Sequence, residues 1–206
     1  MESQRRRYES LVRTARADET RQRIAHAARE LFVSHGWAHT TVREVARRAE
    51  VSVPTVYSAY GNKKGLALAV VDSMDLTADP SALVTELADS PPRQQLAAAI
   101  GFDCRLFQHS GDLIRLLREA ARTEPELADI HRAGPRRGEE ALLALVSSWP
   151  RGTLRDGLTP QLAVDTYAAV CTPDTYADLT GPRGWTPDDV QRLWTDLLTR
   201  ELLAGA

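Results

Sequence analysis

Apolar residues recur every three or four positions along nearly the whole chain, and no run of five or more residues alternates strictly between apolar and polar. The first spacing is typical of amphipathic helices, whereas alternation is typical of strands. The pattern therefore predicts an all-α protein. Prolines at or near many segment starts agree with this, because the first helical turn tolerates a missing N–H. The predicted helices cover residues 20–35, 42–49, 53–60, 63–75, 80–88, 91–108, 112–122, 125–148, 160–171, 173–179 and 187–203, with a break near residues 134–135 left open.

Local capping signals divide the segment after the first helix into two short helices around a turn. Gly36 is a natural stop for the first helix. Thr41 and Glu44 have the spacing of a capping box, which opens the second helix. Ser52 is an N-cap for the third helix, and Glu50 begins the turn before it. The arrangement predicts a helix-turn-helix.

Charge is distributed unevenly along the 206 residues, although the net charge is only -2. Residues 1–66 carry 13 Arg and Lys against 7 Asp and Glu, and residues 67–206 carry 13 against 21. The first part is therefore +6 and the second -8. A basic region ahead of an acidic one fits contact with a polyanion at one end, although two solvated surfaces of different composition would give the same charges. Both lysines of the chain, Lys63 and Lys64, fall in the basic region.

A DNA-binding helix-turn-helix needs a small residue where its helices cross, a tight turn, and a second helix whose N-terminal end enters the major groove. Ala46, Glu50–Val51 and Val53–Tyr60 meet these needs in turn. Residues 20–66 resemble the N-terminal domain of the TetR family of bacterial transcription regulators. The residues that match the family pattern are Phe32, Gly36, Thr41, Val45, Ala46, Ala49, Val51, Ser52, Tyr57, Tyr60, Lys63 and Leu66.

The resemblance implies an N-terminal three-helix helix-turn-helix DNA-binding domain at residues 19–66. It also implies a larger C-terminal helical domain at residues 67–206 for ligand binding and dimerisation. Residues 1–18 are expected to form a flexible arginine-rich arm, which could follow the DNA or remain a solvated tail. The arginines of this arm are Arg5, Arg6, Arg7, Arg13 and Arg16.

The resemblance also implies how DNA is held. Tyr57 and Lys63 would bind phosphates on either side of the groove, and Thr41 with the amides at its helix start would bind another. Phosphate contacts give affinity but no direct sequence information. Among the expected base-reading residues only Arg43 offers a bidentate contact to guanine, so much of the specificity is expected from DNA shape. The expected DNA-contacting residues are Thr41, Arg43, Ser52, Val53, Pro54, Thr55, Tyr57, Ser58 and Lys63.

Two of these positions, and Glu50 in the turn, have an alternative reading. Tyr57 could be a core residue, although Tyr60 three positions later already points inward. Lys63 could be a solvated helix start. Glu50 stands where the family usually has Gly, so it must either adopt a strained positive φ or change the turn slightly.

In the C-terminal domain the last predicted helix has an apolar stripe too wide for a lone surface helix. The resemblance implies dimerisation there, through Val190, Leu193, Trp194, Leu197 and Leu198. Residues that could line a ligand pocket are Phe102, Phe107, Leu117, Trp149, Tyr167 and Tyr176, with the polar Cys104, His109 and His131. Aromatic residues at helical spacing are equally typical of a core.

Together with these features, the resemblance implies a ligand-responsive repressor that binds a pseudo-palindromic double-stranded DNA operator as a homodimer and is released by a small-molecule effector. A dimeric regulator without a ligand, and an all-α enzyme, remain as alternatives. Against an enzyme, the five histidines form no HExxH pair and no glycine-rich phosphate loop occurs.

Cys104 and Cys171 lie far apart and outside any CxxC pattern, so no metal site, cofactor or catalytic residue is expected. The N-terminus lacks the apolar stretch of a secretory signal, and no apolar run approaches the roughly 20 residues that span a bilayer. The sequence thus predicts a cytoplasmic protein that does not enter the membrane.

Overall fold

The computed structural model describes the backbone of residues 2–205 and the side chains of residues 14–73, 78–125 and 127–205. Within that part the chain forms helices and no strand, and one isolated bridge joins Leu154 to Leu203. The all-α prediction is confirmed. The helices are α1 (Glu2–His39), α2 (Val42–Arg48), α3 (Val53–Tyr60), α4 (Lys63–Thr77), α5 (Pro80–Leu87), α6 (Pro92–Ala120), α7 (Pro125–Ser147), α8 (Pro160–Val170), α9 (Pro173–Thr180) and α10 (Pro187–Leu202).

Helix α1 is longer than the sequence predicted. Its backbone is helical from Glu2, so residues 2–18, predicted as an arm, continue the helix. No Gly or Pro precedes Gly36, and nothing in this stretch therefore interrupts a helix. Gly36 is the predicted stop, and its φ of 78° and ψ of 167° break the helical geometry there. The side chains of the first four arginines of the arm lie outside the described residues.

One predicted interruption, and a second that the sequence left open, are absent. The segments predicted as 91–108 and 112–122 form the single 29-residue helix α6, which passes through Gly111 unbroken. Helix α7 likewise continues through Pro135. In α6 buried side chains lie on both sides of Gly111, at Ser110 and Leu113, so packing holds the segment helical where local preference did not require it.

A first hydrophobic core lies among α1–α4. Its fully buried members come from all four helices and include Ile24 and Phe32 of α1 and Leu66 of α4. The same core takes in Leu113 and Leu117 of α6. The N-terminal helices are thus packed directly against α6, across the domain boundary predicted at residue 66.

A second core fills the C-terminal half of the molecule. Leu96 and Ile100 from the N-terminal half of α6 pack there with residues of α7, α8, α9 and α10. Trp194 of α10 is its largest fully buried side chain. Helix α6 therefore contributes to both cores, one with each half.

A polar contact accompanies the packing of α1 on α6. The Arg29 guanidinium donates to the backbone carbonyl of His109 at 2.6 Å and to the Asp112 carboxylate at 3.1 Å. This contact joins the C-terminal half of α1 to the middle of α6, between the two cores.

Candidate nucleic-acid interface

The start of α2 is closed by the predicted capping box. The Thr41 hydroxyl accepts from the Glu44 amide at 3.2 Å, and the Thr41 amide donates to the Glu44 carboxylate at 2.9 Å. This amide and the Thr41 hydroxyl hold the pKa of Glu44 below its ordinary value. A phosphate at this helix start would therefore meet a carboxylate already bound to the Thr41 amide.

The turn between α2 and α3 has the geometry that the sequence anticipated. The amide of Val51 donates to the carbonyl of Ala46 at 2.9 Å, and Ala46 is buried at the helix crossing. Glu50 adopts φ 55°, in the left-handed region. The chain therefore keeps a tight turn and accepts the unfavourable φ of a residue with a Cβ.

Helix α3 is fixed at both ends. Ser52 caps it by accepting from the Thr55 amide at 3.2 Å, and its hydroxyl lies 2.7 Å from that of Thr55. Val56 is buried, and the Tyr60 hydroxyl donates to the Arg21 carbonyl of α1 at 2.8 Å. Because these inner contacts hold one side of α3 against α1 and α2, its other side faces solvent.

The outer side of α3 carries the predicted reading residues. Pro54, Tyr57 and Ser58 are exposed, while Val53 and Thr55 are partly buried. Tyr57 exposes 51% of its surface, so it is not the core tyrosine that the alternative reading proposed. Apart from hydroxyl groups this surface has no polar side chains and no charge. Arg43, exposed near the start of α2, is the predicted base-reading residue with a charge.

Lys63, at the start of α4, contacts Trp37 of α1. Its ammonium donates to the Trp37 carbonyl and lies 4.3 Å from the centre of the Trp37 ring. Burial lowers the pKa of this lysine. The side chain therefore joins the start of α4 to the kinked end of α1, with only part of its donor capacity directed to solvent.

A close backbone approach sets the angle between α3 and α4. Gly61 ends α3 with φ 74°, and the Asn62 side chain accepts from the Gly65 amide at 2.8 Å. A Cβ placed on Gly65 would lie 1.9 Å from the carbonyl oxygen of Tyr60. Only Gly fits at this position without moving one helix from the other.

The predicted pocket residues do not form one group. Phe107 and Tyr176 pack edge-on at 5.9 Å and both lie 6.3 Å from Trp194, inside the second core. Leu117 belongs to the first core instead. Trp149 donates to the Gln95 side chain at 2.7 Å, and Phe102 is partly buried on α6.

Asp103, an acidic residue outside the predicted pocket, lies beside Tyr167. The Tyr167 hydroxyl donates to the Asp103 carboxylate at 2.8 Å, and burial raises the pKa of Asp103 to about 7. Burial also raises the pKa of Cys104 to about 12. The sequence contained a signal for this group, because Asp103 follows Leu96 and Ile100 at core spacing on α6.

The predicted dimer residues divide into two sets. Val190, Trp194 and Leu198 are buried in the second core, so these three cannot form an intermolecular surface. The wide stripe of α10 is covered largely by the chain's own α6, which is the physical reason for this correction. Leu193, with 38% of its surface exposed, and the partly buried Leu197 remain on the outer side.

Residues 24–70 match the sequence profile of the family described as bacterial regulatory proteins, tetR family. This region is a TetR-family DNA-binding domain. The chain is a DNA-binding transcriptional regulator, and the matched residues extend from α1 to α4. The TetR-family helix-turn-helix is therefore the α2–α3 pair described above.

Relatives and solved structures extend the similarity beyond this region. The HTH-type transcriptional regulator TcmR of Streptomyces glaucescens is 27% identical over 166 residues, 77% of this chain and 73% of its own. Two regulators of Pseudomonas putida match over 73 residues, only 35% of their length. NalD of Pseudomonas aeruginosa, described as the secondary repressor of a multidrug efflux pump, has TM-score 0.69 and 23% identity, over 92% of this chain and 100% of its own.

A second solved structure, a transcriptional regulator of Saccharomonospora viridis in complex with choline, has TM-score 0.73 and 16% identity, over 91% of this chain and 99% of its own. At these identities the two structures show that the chain shares their fold, and no more. Among the residues described, no helix is long and apolar enough to cross a membrane. Nor does that part of the chain hold three His, Cys, Asp or Glu side chains grouped to bind a metal ion.

Proposed function

We propose that this protein is a ligand-responsive repressor that binds a pseudo-palindromic operator as a homodimer. The observation that carries the proposal is the way α3 is presented. Ser52 caps the helix, the Tyr60 hydroxyl bonds its inner side to α1, and Tyr57 is exposed on its outer side. A helix presented this way can enter the major groove by its N-terminal end. Repression is the commoner mode of the family, and NalD is described as a repressor.

In this proposal most DNA contacts position the protein. The Tyr57 hydroxyl binds one phosphate, and the first amides of α2 bind another next to Thr41. Lys63 holds α4 to α1 and turns its remaining ammonium donors towards the backbone of DNA. These contacts supply affinity that falls as salt rises.

Base reading falls to Arg43 and to the uncharged side of α3. Arg43 can make a bidentate contact to guanine, whereas the other side chains offer methyl contacts to thymine and single hydroxyl bonds. The operator is therefore expected to contain few positions read by strong hydrogen bonds, with DNA shape contributing the rest. The remaining base-facing residues are Val53, Pro54, Thr55 and Ser58, and Ser52 stands at the edge of this set.

Selection of bound sequences from random double-stranded DNA tests the proposal. We expect enrichment of a pseudo-palindrome whose half-sites lie roughly one helical turn or more apart. Arg43→Ala should then lose affinity only on operators that keep its guanine. The measurement is a gel shift on base-substituted operators. Recovery of no palindrome would count against a dimeric regulator, and an equal loss on every operator would remove Arg43 from base reading.

For the dimer we propose an interface on the outer sides of α8 and α10. Leu162 exposes 47% of its surface and Leu193 exposes 38%, and Leu197 follows Leu193 by one helical turn. Pairing two such surfaces would bury these leucines in a four-helix arrangement. The Leu193→Glu variant should sediment as a monomer and lose at least about tenfold in operator affinity. Val84→Glu, which alters an exposed apolar residue of α5, is the matched control and should remain dimeric.

For the effector we propose a small molecule bound in the C-terminal half, with the Asp103–Tyr167 pair as its polar contact. The S. viridis regulator of similar fold was solved with choline, a cation. The second core and its carboxylate of raised pKa would suit a cationic or neutral ligand. Thermal stabilisation by a library of small metabolites and drugs tests this.

A ligandless regulator is the second candidate. The tight packing of Phe107, Tyr176 and Trp194 favours it, and neither of the two surface depressions described is lined by a predicted pocket residue. In that case no member of the library would change both stability and operator affinity.

A further inference from the structure

A shallow depression lies at the end of the C-terminal half, where the N-terminus of α6 meets the last turns of α10. Its volume is about 330 Å³, and it is lined by Arg93, Asp196, Thr199 and Arg200. None of these residues belongs to the helix-turn-helix or to the Asp103–Tyr167 pair. The volume is at the lower end of the range for sites that bind small molecules.

Thr199 is the most unusual residue of this group. It is 2% exposed, and its hydroxyl oxygen has no hydrogen-bond partner among the described residues. A helical Ser or Thr usually donates back to the carbonyl four residues earlier. Thr85 and Thr166 do so at 3.1 and 2.8 Å. Because the Thr199 hydroxyl makes no such bond, it remains a buried donor at the floor of the depression.

The two arginines that line the depression are also free to bind. No ion pair or hydrogen bond of the described residues involves the Arg93 side chain. Arg200 donates only through Nε, to the Asp196 carbonyl at 3.2 Å. By contrast, the nearby Arg155 and Arg192 are each paired with an acid. Two guanidinium groups therefore face the depression with unused donors.

The N-terminus of α6 adds to this positive environment. Pro91 precedes the helix and makes no side-chain cap, unlike the Ser, Thr and Asp residues that cap α2, α3, α5, α8, α9 and α10. Arg93 lies in the first turn, at the positive end of the helix dipole. The partial positive charge of a 29-residue helix adds to that of the arginines.

We propose that this depression binds a small oxyanion, a carboxylate or a phosphate, at a site separate from the DNA interface and from the Asp103–Tyr167 pair. The guanidinium groups of Arg93 and Arg200 contact the anion from the rim, and the Thr199 hydroxyl donates to it from the floor. Asp196 offsets one of the two positive charges and accepts a hydroxyl or ammonium group of the ligand. The site thus selects a compact anion that also carries a donor.

Thermal unfolding in the presence of inorganic phosphate or succinate tests the site. Sodium chloride at equal ionic strength is the reference. The wild-type protein should show a saturable rise in midpoint with either probe, because a ligand that binds only the folded state stabilises it. Thr199→Val keeps the shape of the side chain and removes the hydroxyl, and Arg93→Gln removes one guanidinium. Each should raise the apparent dissociation constant roughly tenfold or more.

Two control variants separate the site from general effects of salts. Thr199→Ser retains the hydroxyl and should bind like the wild type. Arg183→Gln removes an exposed arginine that does not line the depression and should also leave binding unchanged. Phosphate stabilises many proteins by exclusion from their surface, and that effect acts equally on every variant. If the wild type gains no more than Thr199→Val, or if a second copy covers the depression so that neither probe binds, the proposal is overturned. Operator binding plays no part in this readout.

Discussion

The two halves of the molecule present their chemistry in opposite ways. In the N-terminal half short capped helices hold functional side chains on an outer surface, and each cap joins residues three apart, such as Thr41 with Glu44. In the C-terminal half polar groups lie inside the core or at its edge. There a hydrogen bond joins residues that are far apart in the chain, such as Asp103 and Tyr167. The first kind of site depends on local sequence, whereas the second depends on how distant helices meet.

Helix α6 is the element that both halves share. Its Leu113 and Leu117 belong to the first core, and its Leu96 and Ile100 belong to the second. A shift of α6 would therefore alter packing in both halves at once. Such a shift would also change the contact between Arg29 of α1 and Asp112 of α6.

The largest effect that tests this comparison is expected from Gly65→Ala. The new Cβ would lie 1.9 Å from the Tyr60 carbonyl oxygen, so α3 and α4 must separate. We expect a loss of more than about 4 kcal/mol in stability, in the range of the most disruptive single substitutions. Operator affinity should fall below detection in a gel shift.

The matched control is Gly111→Ala. Gly111 is also helical, but nothing lies within 4 Å of its Cβ position. This variant should be as stable as the wild type or slightly more so, since Ala favours a helix over Gly. If Gly65→Ala also unfolded the C-terminal half at the same midpoint, the two halves would be one cooperative unit. The difference drawn between them would then not extend to their stability.

Features that depend on residues close together in the chain could be predicted from the sequence. The helix-turn-helix and its capping box follow from residues within a few positions of one another, and both were predicted, whereas a positive φ at Glu50 was one of two outcomes left open. The union of two predicted segments into α6 could not be predicted, because buried side chains on both sides of Gly111 keep it helical. The same long-range packing buries Val190 and Trp194, which the sequence assigned to a dimer surface.

The contacts of Lys63 could not be predicted from the sequence either. Its place in the sequence pattern implied a phosphate contact, but its cation–π contact with Trp37 depends on the kink at Gly36. The same is true of Thr199 in the C-terminal half, because nothing local reveals that its hydroxyl lacks a partner.

The next largest effect is expected from Asp103→Asn and depends on pH. The pKa of Asp103 is raised to about 7 in the folded protein, above its ordinary value of 3.8, so the folded state holds this proton more tightly. The contribution of Asp103 to stability therefore falls as pH rises from about 4 to about 7, and it is constant above that. At about 1.4 kcal/mol for each pKa unit, the cost at pH 8 is at most about 4 kcal/mol.

Urea unfolding midpoints between pH 4.5 and 8.5 measure this effect. Asn retains an acceptor for the Tyr167 hydroxyl and cannot ionise, so the variant should exceed the wild type in stability by a margin that grows with pH. Asp178→Asn, at an exposed position of α9, should leave the wild-type profile unchanged. A margin that stayed constant with pH would mean that Asp103 does not cause the pH dependence of stability. Asp103 would then not be an example of a polar group whose properties are set by burial in the core.

The smallest effect is expected from Glu50→Gly, in the turn before α3. Glu50 has φ 55°, which costs a residue with a Cβ about 1 kcal/mol more than Gly, while Gly gives the unfolded chain more freedom. We expect a net stabilisation of about 0.5–1 kcal/mol, seen as a rise of roughly 1–4 °C in the midpoint of thermal unfolding. Glu50→Ala removes the charge but keeps the strain, so it should give no comparable gain. An equal gain in both variants would assign the effect to the charge of Glu50, which shares a surface depression with Glu30. Because the Val51 amide already bonds to the Ala46 carbonyl, α3 should stay in place, and operator affinity should change less than about twofold in Glu50→Gly.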